Sequence, residues 1–457
     1  MKNTFLTFII LLILSTSMNA QWYELVTPTI NFDIKSSSFI DLEINLDGEP
    51  YLLYDCEVPN GNDIDYKLFV QKYDEINDGW SLVGSNNVNE LNAFQNNMAI
   101  DSEGTVYVAF LKVGAGISTC TVKEFDGTEW VTIGEWDVGV LTEVTMYCNN
   151  QDDLYVSHSD SDYPGQVVKR YLGTVNNWEI LGDAPFLTES QCLGPAITTD
   201  NDGNILVSYG TPGGLSVKKF NGSTWEYVGS GTIGDEPLYP TSITTGSDDV
   251  IYTTTTDFWS SASTVHRYQN NAWQNQLICY GGGYMPFAKY NNEVYMGHYV
   301  ADNGLRPRVK KVDNSGNWIN LPEQPGEYFT SPSIPTTYFD IETDNHGNLY
   351  MALLKGDNFN HHVSVIKLDI VTGIKAPQKE VFTIYPNPTT GIIKLTGPDS
   401  YWDENLFGIE ITDITGITIC TWRHVPSQID LSGLKKGIYF VRVNTSENSY
   451  IEKLIIR

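Results

Sequence analysis

The sequence predicts an all-β protein in which seven repeated four-stranded units close into a ring, a β-propeller, followed by a smaller β domain. Three observations predict this fold. Tryptophans recur at gaps of 45 to 50 residues from Trp80 to Trp318, which is the usual length of a propeller blade. Apolar and polar residues alternate in short runs that are separated by Gly, Asn and Asp. Tyr is the commonest aromatic residue, and such a composition favours strands over helices.

The first twenty residues have the pattern of a secretory signal peptide. Lys2 supplies a positive start, residues 5–14 form an apolar run, and Ala20 ends a stretch of small and polar residues that is suited to cleavage. No later apolar run reaches the roughly 20 residues that a membrane helix needs. We therefore expect residues 1–20 to be removed, and the mature chain to hold no transmembrane segment.

The net charge and the cysteine spacing exclude several classes of partner and site. The formal net charge of the chain is −29, which argues against nucleic acid and anionic membranes because both attract basic surfaces. The same charge is compatible with bound cations such as calcium. The six cysteines include no CxxC pair, so no zinc or thioredoxin-like site is predicted. We expect scattered buried thiols with at most one or two bridges.

Residues 21–371 are predicted to form the ring, because four elements recur in each unit. An apolar strand leads into a polar turn, a second strand follows with Tyr usually at its third place, and a third strand reads Val-x-basic-apolar. A fourth strand opens at Trp, and the tryptophans at this place are Trp80, Trp130, Trp178, Trp225, Trp273 and Trp318. We interpret them as packing anchors between units.

The seventh unit, at about residues 336–371, has no Trp strand of its own. The missing strand is found at the start of the mature chain, where residues 22–26 have the same form as the other Trp strands. We expect this segment to pair as the outer strand of the last unit. Pairing of this kind would close the ring and leave neither end with an open strand edge.

The chain changes character after residue 371. A linker at 372–380 leads into residues 381–457, whose strands are separated by Pro and Gly turns. The motif residues of this segment are Tyr385, Pro386, Asn387, Pro388, Gly391, Asp413, Gly416, Leu431, Gly437, Tyr439 and Lys453. Together they resemble the type A C-terminal sorting domain of the type IX secretion system of the Bacteroidetes.

The resemblance implies a small antiparallel β-sandwich that the type IX machinery reads at the outer membrane and usually removes. It further implies passage through the periplasm, followed by release of the protein or its attachment to the cell surface.

The candidate ligand residues lie in the predicted loops between the second and third strands of the units. Such loops gather at one mouth of a propeller channel, and variable loops on a rigid scaffold commonly carry function. These residues mix carboxylates, imidazoles and aromatic rings: Asp55, His158, Asp160, Asp162, Tyr163, Asp257, Trp259, His298, Tyr299 and Asp302. Asp160 and Asp162 could hold calcium, which takes oxygen ligands, although their spacing is not that of an EF-hand. No other metal site is predicted.

The sequence favours a non-catalytic protein that binds a glycan or another protein, with a secreted hydrolase of polysaccharide or peptide as the alternative. No Gly-x-Ser-x-Gly, HExxH or phosphate-binding loop is present. The two hypotheses differ in what they require at the channel mouth. A hydrolase needs converging carboxyl groups or a His–carboxylate pair there, whereas a binding protein needs aromatic rings on an open face.

Overall fold

The computed structural model describes residues 22–28, 39–321, 336–369 and 383–457 of the chain. Within these ranges the residues outside the description are 62, 85, 90–91, 115–116, 139–142, 163–164, 183–184, 188–191, 230, 235–237, 258–261, 281–282, 302–304, 314, 357–360, 397–405, 414–417, 423–427 and 446–448. The predicted signal peptide at residues 1–20 and the linker at 372–380 lie outside the described residues.

The chain forms two compact units, residues 1–373 and 374–457. Both are built from antiparallel strands, and one 3₁₀ turn at Ser247–Asp249 is the helical element of the described part. The predicted all-β class is therefore confirmed.

The described part of the first unit contains seven four-stranded antiparallel sheets. Six of them take four consecutive strands each. The first three sheets are β2 (Ile40–Ile44), β3 (Pro50–Asn60), β4 (Asp63–Asp74), β5 (Gly79–Leu82) in the first; β6 (Ala93–Ile100), β7 (Val106–Gly114), β8 (Ile117–Phe125), β9 (Trp130–Val138) in the second; and β10 (Thr145–Cys148), β11 (Leu154–Asp160), β12 (Gly165–Tyr171), β13 (Trp178–Ile180) in the third. The next three are β14 (Leu193–Thr199), β15 (Ile205–Thr211), β16 (Gly214–Phe220), β17 (Trp225–Tyr227) in the fourth; β18 (Leu238–Thr245), β19 (Ile251–Asp257), β20 (Ala262–Gln269), β21 (Ala272–Tyr280) in the fifth; and β22 (Phe287–Tyr290), β23 (Glu293–Ala301), β24 (Leu305–Val312), β25 (Trp318–Asn320) in the sixth. The seventh sheet has the order β1–β28–β27–β26 and consists of β1 (Trp22–Glu24), β26 (Thr336–Thr343), β27 (Leu349–Gly356) and β28 (His361–Leu368).

The first strands of the seven sheets lie next to one another around a common centre. Each first strand contacts that of the following sheet, and β26 of the seventh sheet contacts β2 of the first. The apolar cores lie between neighbouring sheets, and one of them joins the seventh sheet to the first, where Tyr350 and Val365 pack with Leu52 and Tyr73.

Acidic and amide side chains fix the turns between the first and second strands. Asp101 accepts hydrogen bonds from the backbone N–H groups of Glu103 and Thr105, at 3.0 and 2.8 Å. The same pattern recurs at Asn45, Asn149, Asp200 and Asp344. These Asx turns explain why Asp and Asn recur at this place in the repeat.

The repeated tryptophans join neighbouring sheets through their indole N–H groups. Five of them donate to a backbone carbonyl that lies in, or just after, the outer strand of the preceding sheet. The pairs are Trp80 to Val26 (2.6 Å), Trp130 to Val83 (3.3 Å), Trp178 to Ile133 (2.9 Å), Trp225 to Leu181 (2.8 Å) and Trp273 to Val228 (3.0 Å).

The N-terminal strand β1 pairs antiparallel with β28, and Trp22 lies opposite Leu368. Trp22 is 2% exposed, and the N–H of Leu25 donates to Val365 O at 2.9 Å. Val26 then accepts the indole N–H of Trp80 from the first sheet.

The second unit contains two sheets that share one apolar core. The described strands are β29 (Thr383–Tyr385), β30 (Ile392–Thr396) and β33 (Ile429–Asp430) in one sheet, and β32 (Thr418–Trp422), β31 (Leu406–Asp413), β34 (Gly437–Thr445) and β35 (Ser449–Ile456) in the other. Ile393 and Ile429 of the first sheet pack with Ile411, Val441 and Leu454 of the second. The expected β-sandwich is therefore found.

Several motif residues of this unit have clear structural roles. Asn387 donates its amide to Lys453 O at 2.6 Å and accepts the N–H of Ile455 at 3.0 Å. Its side chain thereby ties the Pro-Asn-Pro turn to the last strand. Gly391 lies so close to Ser432 that a Cβ atom would approach its Cα to 2.8 Å. Gly416 lies outside the described residues.

All six cysteines are free thiols, and Cys56, Cys120 and Cys192 are buried.

Candidate functional site

The structure places five of the predicted ligand residues in strands, so their assignment to loops is wrong. These are Asp55, His158, Asp160, His298 and Tyr299. The pairing of the second and third strands extends further than expected, for example to Asn60 opposite Asp63. Asp257 ends β19, and Asp162 lies in the turn after β11. Tyr163, Trp259 and Asp302 lie outside the described residues.

His158 and Asp160 belong to a buried polar cluster between the second and third sheets. Asp160 forms an ion pair with Lys169 at 2.6 Å. His158 stacks on Trp136 with a centroid distance of 4.9 Å, and the Lys169 ammonium lies 4.3 Å from the same indole ring. Burial, with the nearby Lys169 charge, lowers the pKa of His158 to about 4. With both side chains almost fully buried, the pair does not form part of an open channel mouth.

His298 and Tyr299 are also buried, and because they are neighbours in β23 their side chains point to opposite faces of the sixth sheet. Tyr299 packs edge-on against Phe339 at 4.7 Å, and burial lowers the pKa of His298 to about 4. Those of the predicted ligand residues that the structure describes therefore do not all converge on one site.

A different set of side chains converges where the first and seventh sheets meet. The neighbouring strands β2 and β26 each carry two carboxyl groups on one face, Asp41 and Glu43 on β2, and Asp340 and Glu342 on β26. Two residues along a strand are separated by about 6.7 Å. The four groups therefore form two pairs, the Asp pair (Asp41, Asp340) and the Glu pair (Glu43, Glu342), which we call together the acid cluster.

The Asp pair accepts hydrogen bonds from backbone N–H groups of the first strand in the next sheet, which no strand pairs on its inner side. Asp340 accepts the N–H of Leu42 at 3.0 Å, and Asp41 accepts the N–H of Met98 at 2.6 Å. Unpaired backbone N–H groups at an edge need such partners.

Neutral residues perform the same task in other sheets. Asn97 accepts the N–H of Met146 at 2.6 Å, and Ser242 accepts that of Phe287 at 3.3 Å. Neutral side chains therefore suffice to accept these backbone N–H groups. The acidic character of Asp41 and Asp340 is not needed for this structural role.

The two carboxyl groups of the Asp pair lie close enough to influence each other's pKa. Burial, followed by the charge of Asp41, holds the pKa of Asp340 well above its usual range. Burial also raises the pKa of Asp41, while hydrogen bonds from Met98, Asp340 and Asn97 oppose this effect. The Asp pair therefore tends to retain one proton, because two adjacent carboxylates do not both ionise readily.

The Glu pair is perturbed in the same direction. Burial raises the pKa of Glu342 to about 7. Burial, then the charge of Glu342, keeps the pKa of Glu43 well above its usual range. Both side chains line a cavity of about 680 Å³, to which the first strands of all seven sheets contribute.

Three aromatic rings adjoin the Asp pair. Tyr338 precedes Asp340 by two residues on β26 and stacks on Tyr284, with centroids 4.9 Å apart and an interplanar angle of 18°. Phe39, which directly precedes β2, meets Tyr338 edge-on at 5.4 Å. Phe39 is 43% exposed, and its backbone N–H donates to Asp55 at 2.9 Å. We call Phe39, Tyr284, Tyr338 and the Asp pair the acid–aromatic site.

One sequence signal could have revealed this site. The segments Ile40-Asp41-Leu42-Glu43 and Phe339-Asp340-Ile341-Glu342 share an alternation of apolar and acidic residues. The first strands of the other five units carry no acid at the two equivalent places. Both strands also fit the apolar first strand of the repeat, so their acids were not predicted as a site.

In the described part of the chain, no group of three or more His, Cys, Asp or Glu side chains is arranged to hold a metal ion.

A family comparison identifies the second unit. Residues 383–457 match the family described as secretion system C-terminal sorting domain. The second unit is therefore a type IX sorting domain, and the protein is exported across the outer membrane to be released or held at the cell surface. Among the described residues, no helix is long and apolar enough to cross a membrane.

No curated protein matches the chain in sequence. Solved structures with a similar course of the chain include the polysaccharide lyase Uly1, with 10% identity and a TM-score of 0.48 over 78% of this chain and 98% of that one. A protein of unknown function from Dyadobacter fermentans has 11% identity and a TM-score of 0.46, over 76% and 99% of the two chains. NanB sialidase from Streptococcus pneumoniae has 11% identity and a TM-score of 0.43, over 76% and 70%. These likenesses are too distant for conclusions about function.

Proposed function

We propose that the protein is an exported glycan-binding protein whose ligand binds at the acid–aromatic site. The observation that carries the proposal is the partly exposed Phe39–Tyr338 pair directly beside the Asp pair. Sugars are bound where an aromatic face covers the apolar face of the ring while carboxyl groups take its hydroxyls. Of the aromatic residues that were predicted to do this, Tyr299 is buried elsewhere, and Tyr163 and Trp259 lie outside the described residues.

A glycan array with the purified full chain tests the proposal. We expect selective binding of one glycan class, and at least a tenfold loss of affinity in Phe39→Ala, since an aromatic contact of this kind contributes about 1–2 kcal/mol. Ile76→Ala is the matched control, because Ile76 is 95% exposed in the turn after β4. Unchanged binding in Phe39→Ala would place the ligand elsewhere.

The second candidate is hydrolysis of the bound glycan, and the shared proton of the Asp pair favours it. A proton donor and an ionised carboxylate are the two groups that glycoside hydrolysis requires. The Asp and Glu pairs are separated by about 7 Å along the strands, within the range that suits an inverting reaction.

Release of reducing ends from array-positive glycans distinguishes the two candidates. Turnover that is lost in Asp41→Asn and in Glu342→Gln, with binding retained, would establish the hydrolase. Binding without turnover in the parent protein leaves the binding function alone.

We also propose that the seven sheets are the blades of one propeller, with β1 as the closing strand. The proposal is supported by the contact of β26 with β2, the core between the seventh and first sheets, and the bond from Trp80 to Val26. Residues 1–20 act as the leader that exposes this strand on cleavage.

A further inference from the structure

Six of the seven sheets carry a basic residue at the same place of the third strand, opposite a Tyr or Leu of the second strand. In five of these sheets the base forms an ion pair with a nearby acid. The pairs are Lys72–Glu49 (2.6 Å), Arg170–Asp153 (3.0 Å), Lys219–Asp200 (2.5 Å), Lys311–Glu293 (2.7 Å) and Lys367–Asp369 (3.6 Å). The sixth base is Arg267 of the fifth sheet. It forms no ion pair with an acid of the described residues, and its Nε is buried without a hydrogen-bond partner.

The sequence of the fifth sheet explains the missing partner. In the first, third and sixth sheets the acid stands two residues before the Tyr that faces the base. The fifth sheet has Val250 at this place, two residues before Tyr252, and Val250 is buried in the apolar core beside the sixth sheet. The turn that supplies an acid to the other bases therefore supplies none to Arg267.

The fourth strand of the fifth sheet is neutral at the facing position as well. Arg170 of the third sheet lies opposite Glu179, which approaches it to 3.4 Å, whereas Arg267 lies opposite Gln274. The chain as a whole has a net charge of −29, and a partly buried charge without a counter-charge is costly. A guanidinium that is left unpaired in such an acidic protein points to a ligand that carries the missing negative charge.

The Arg267 guanidinium lies in a groove between the fifth and sixth sheets. The hairpin between β24 and β25 covers one of its faces, because a Cβ atom at Gly316 would lie 2.5 Å from its Nη1. Its Nη2 donates to Oε1 of Gln269 at 2.6 Å, which fixes the guanidinium and places the Gln269 amide beside it. The groove has a volume of about 770 Å³, which is the size of many small-molecule and sugar sites.

The other charged groups of the groove limit the ligand to a low charge. Lys311 and Glu293 neutralise each other at 2.7 Å. Asp313 accepts the backbone N–H groups of Ser315 and Asn317 at 2.9 and 2.8 Å, and Asp248 is exposed on the 3₁₀ turn. These acids would repel a polyanion, so a single anionic group beside Arg267 is favoured.

We propose that this groove is a second binding site, separate from the acid–aromatic site, and that it takes an acidic sugar residue through its carboxylate. Arg267 binds the carboxylate, since the planar guanidinium matches two carboxylate oxygens. The amides of Gln269 and Asn292 line the same groove, and amides both donate to and accept from hydroxyl groups. Ile319 and Leu321, which also line it, face the apolar side of the sugar ring.

A charged oligosaccharide and its neutral twin test the inference. The probes are a glucose trimer that ends in one glucuronate and the methyl ester of the same compound, titrated calorimetrically into the full chain at low salt. We expect the acid to bind at least tenfold more tightly than the ester, and its affinity to fall as the salt concentration rises. Phe39→Ala should bind the acid within twofold of the parent, because the groove does not include the acid–aromatic site.

Two variants assign the binding to Arg267. Arg267→Gln should bind the acid and the ester equally. Gln274→Glu keeps Arg267 and places an acid opposite it, as Glu179 is opposite Arg170, on an exposed position of β21. We expect this variant to lose at least fivefold in affinity for the acid. Val175→Glu is the matched control, since it adds the same charge at a residue that is 55% exposed in the third sheet, and it should bind like the parent.

The outcomes are distinct. Equal binding of the acid and the ester by the parent protein, or no binding of either, would overturn the inference and leave the acid–aromatic site unaffected. An unchanged preference for the acid in folded Arg267→Gln or Gln274→Glu would place the carboxylate elsewhere. Loss of acid binding in Phe39→Ala would show that the two sites are one. Tighter binding of a tripeptide with a free C-terminal carboxylate than of the glucuronate probe would assign the groove to peptides and contradict the sugar ligand.

Discussion

Asp41 combines a structural and an electrostatic role in one side chain. Its carboxylate accepts the Met98 N–H at 2.6 Å and the amide of Asn97 at 2.8 Å, and it lies beside the Asp340 carboxyl in a partly buried environment. The first role needs only an acceptor, as the capping by Ser242 demonstrates. The second role needs a charge.

Two substitutions of Asp41 separate these roles in stability measurements. Asp41→Ala removes the acceptor and leaves the Met98 N–H unsatisfied, which should lower the free energy of unfolding by about 1–3 kcal/mol. Asp41→Asn keeps the acceptor and removes the repulsion between acids, so we expect no loss of stability. Urea unfolding of the two variants beside the parent measures the difference. Equal destabilisation by both would contradict the capping role.

Glu342 makes stability depend on pH in a direction opposite to that of an ordinary ion-paired carboxylate. Its folded pKa of about 7 lies above the usual 4.5, so the folded state holds the proton more tightly than the unfolded state. The free energy of unfolding should therefore fall as the pH rises from about 4.5 to 7, with a slope of up to about 1.4 kcal/mol per unit for one group. Asp41, Glu43 and Asp340 act in the same direction, while Thr343 donates to Glu342 and opposes it.

Thermal unfolding between pH 5 and pH 8 measures this dependence. Glu342→Gln should flatten the slope and raise the stability at pH 8. A parent protein that gains stability steadily from pH 5 to pH 8 would show that the cluster is not protonated as described.

At the scale of the elements, the periodicity of the sequence predicted the repeats well and the loops poorly. Trp, the basic third strand and the Asx turns recur at fixed places, because each has a local role in the sheets. The limits of the second and third strands were misplaced because alternation continues beyond the turn-like residues, as in the run from Asp55 to Asn60. Burial of His158 and His298 depends on the neighbouring sheet, which no local pattern reveals.

The packing between neighbouring sheets gives a test at this scale. A Cβ atom at Gly134 would lie 2.5 Å from the Trp136 ring and 2.8 Å from Nε1 of Trp178. Gly134→Ala should therefore separate the second and third sheets and cost about 1–3 kcal/mol. Gly283→Ala is the control, because no atom lies within 4 Å of its added Cβ. Thermal unfolding compares the two, and equal melting temperatures would contradict the close packing.

The sorting domain leads to a separate prediction about export of the protein. Asn387 ties the Pro-Asn-Pro turn to β35 through Lys453 and Ile455. Loss of both hydrogen bonds in Asn387→Ala should destabilise this unit by about 1–3 kcal/mol and reduce the exported amount. Deletion of residues 383–457 should retain the protein in the periplasm. Fractionation followed by immunoblotting measures both effects, and full export of the truncated chain would contradict the role of the domain.

At the scale of the whole molecule, the candidate site exists only because the ends of the repeat array meet. Asp41 and Asp340 are about 300 residues apart in the chain, and they become neighbours because β2 contacts β26. The sequence predicts a closed ring with residues 22–26 as its closing strand, and we retain this closure as a proposal. It could not predict the acid cluster, because the two acidic strands lie in the first and last units and are adjacent only in a closed ring.

The site depends on the proposed closure of the ring, and the N-terminal strand allows this closure to be tested. Deletion of residues 21–28 removes the buried Trp22 and Leu25, the ladder to β28 and the acceptor of the Trp80 indole N–H. The loss of two buried apolar side chains alone should cost at least about 4 kcal/mol, and the uncovered edge of β28 should promote aggregation. Replacement of the same residues by a Gly/Ser segment of equal length controls for chain length and should be as unstable as the deletion.

Loss of closure should weaken ligand binding at the acid–aromatic site, since β26 and β2 carry its two halves. We expect both N-terminal variants to lose ligand affinity more strongly than Trp80→Phe, which removes one hydrogen bond and keeps β1. Urea unfolding and ligand titration of the same preparations measure the two effects together. Parent-like stability in the deletion variant would show that β1 does not close the ring, and parent-like affinity in an unstable variant would show that the site does not depend on closure.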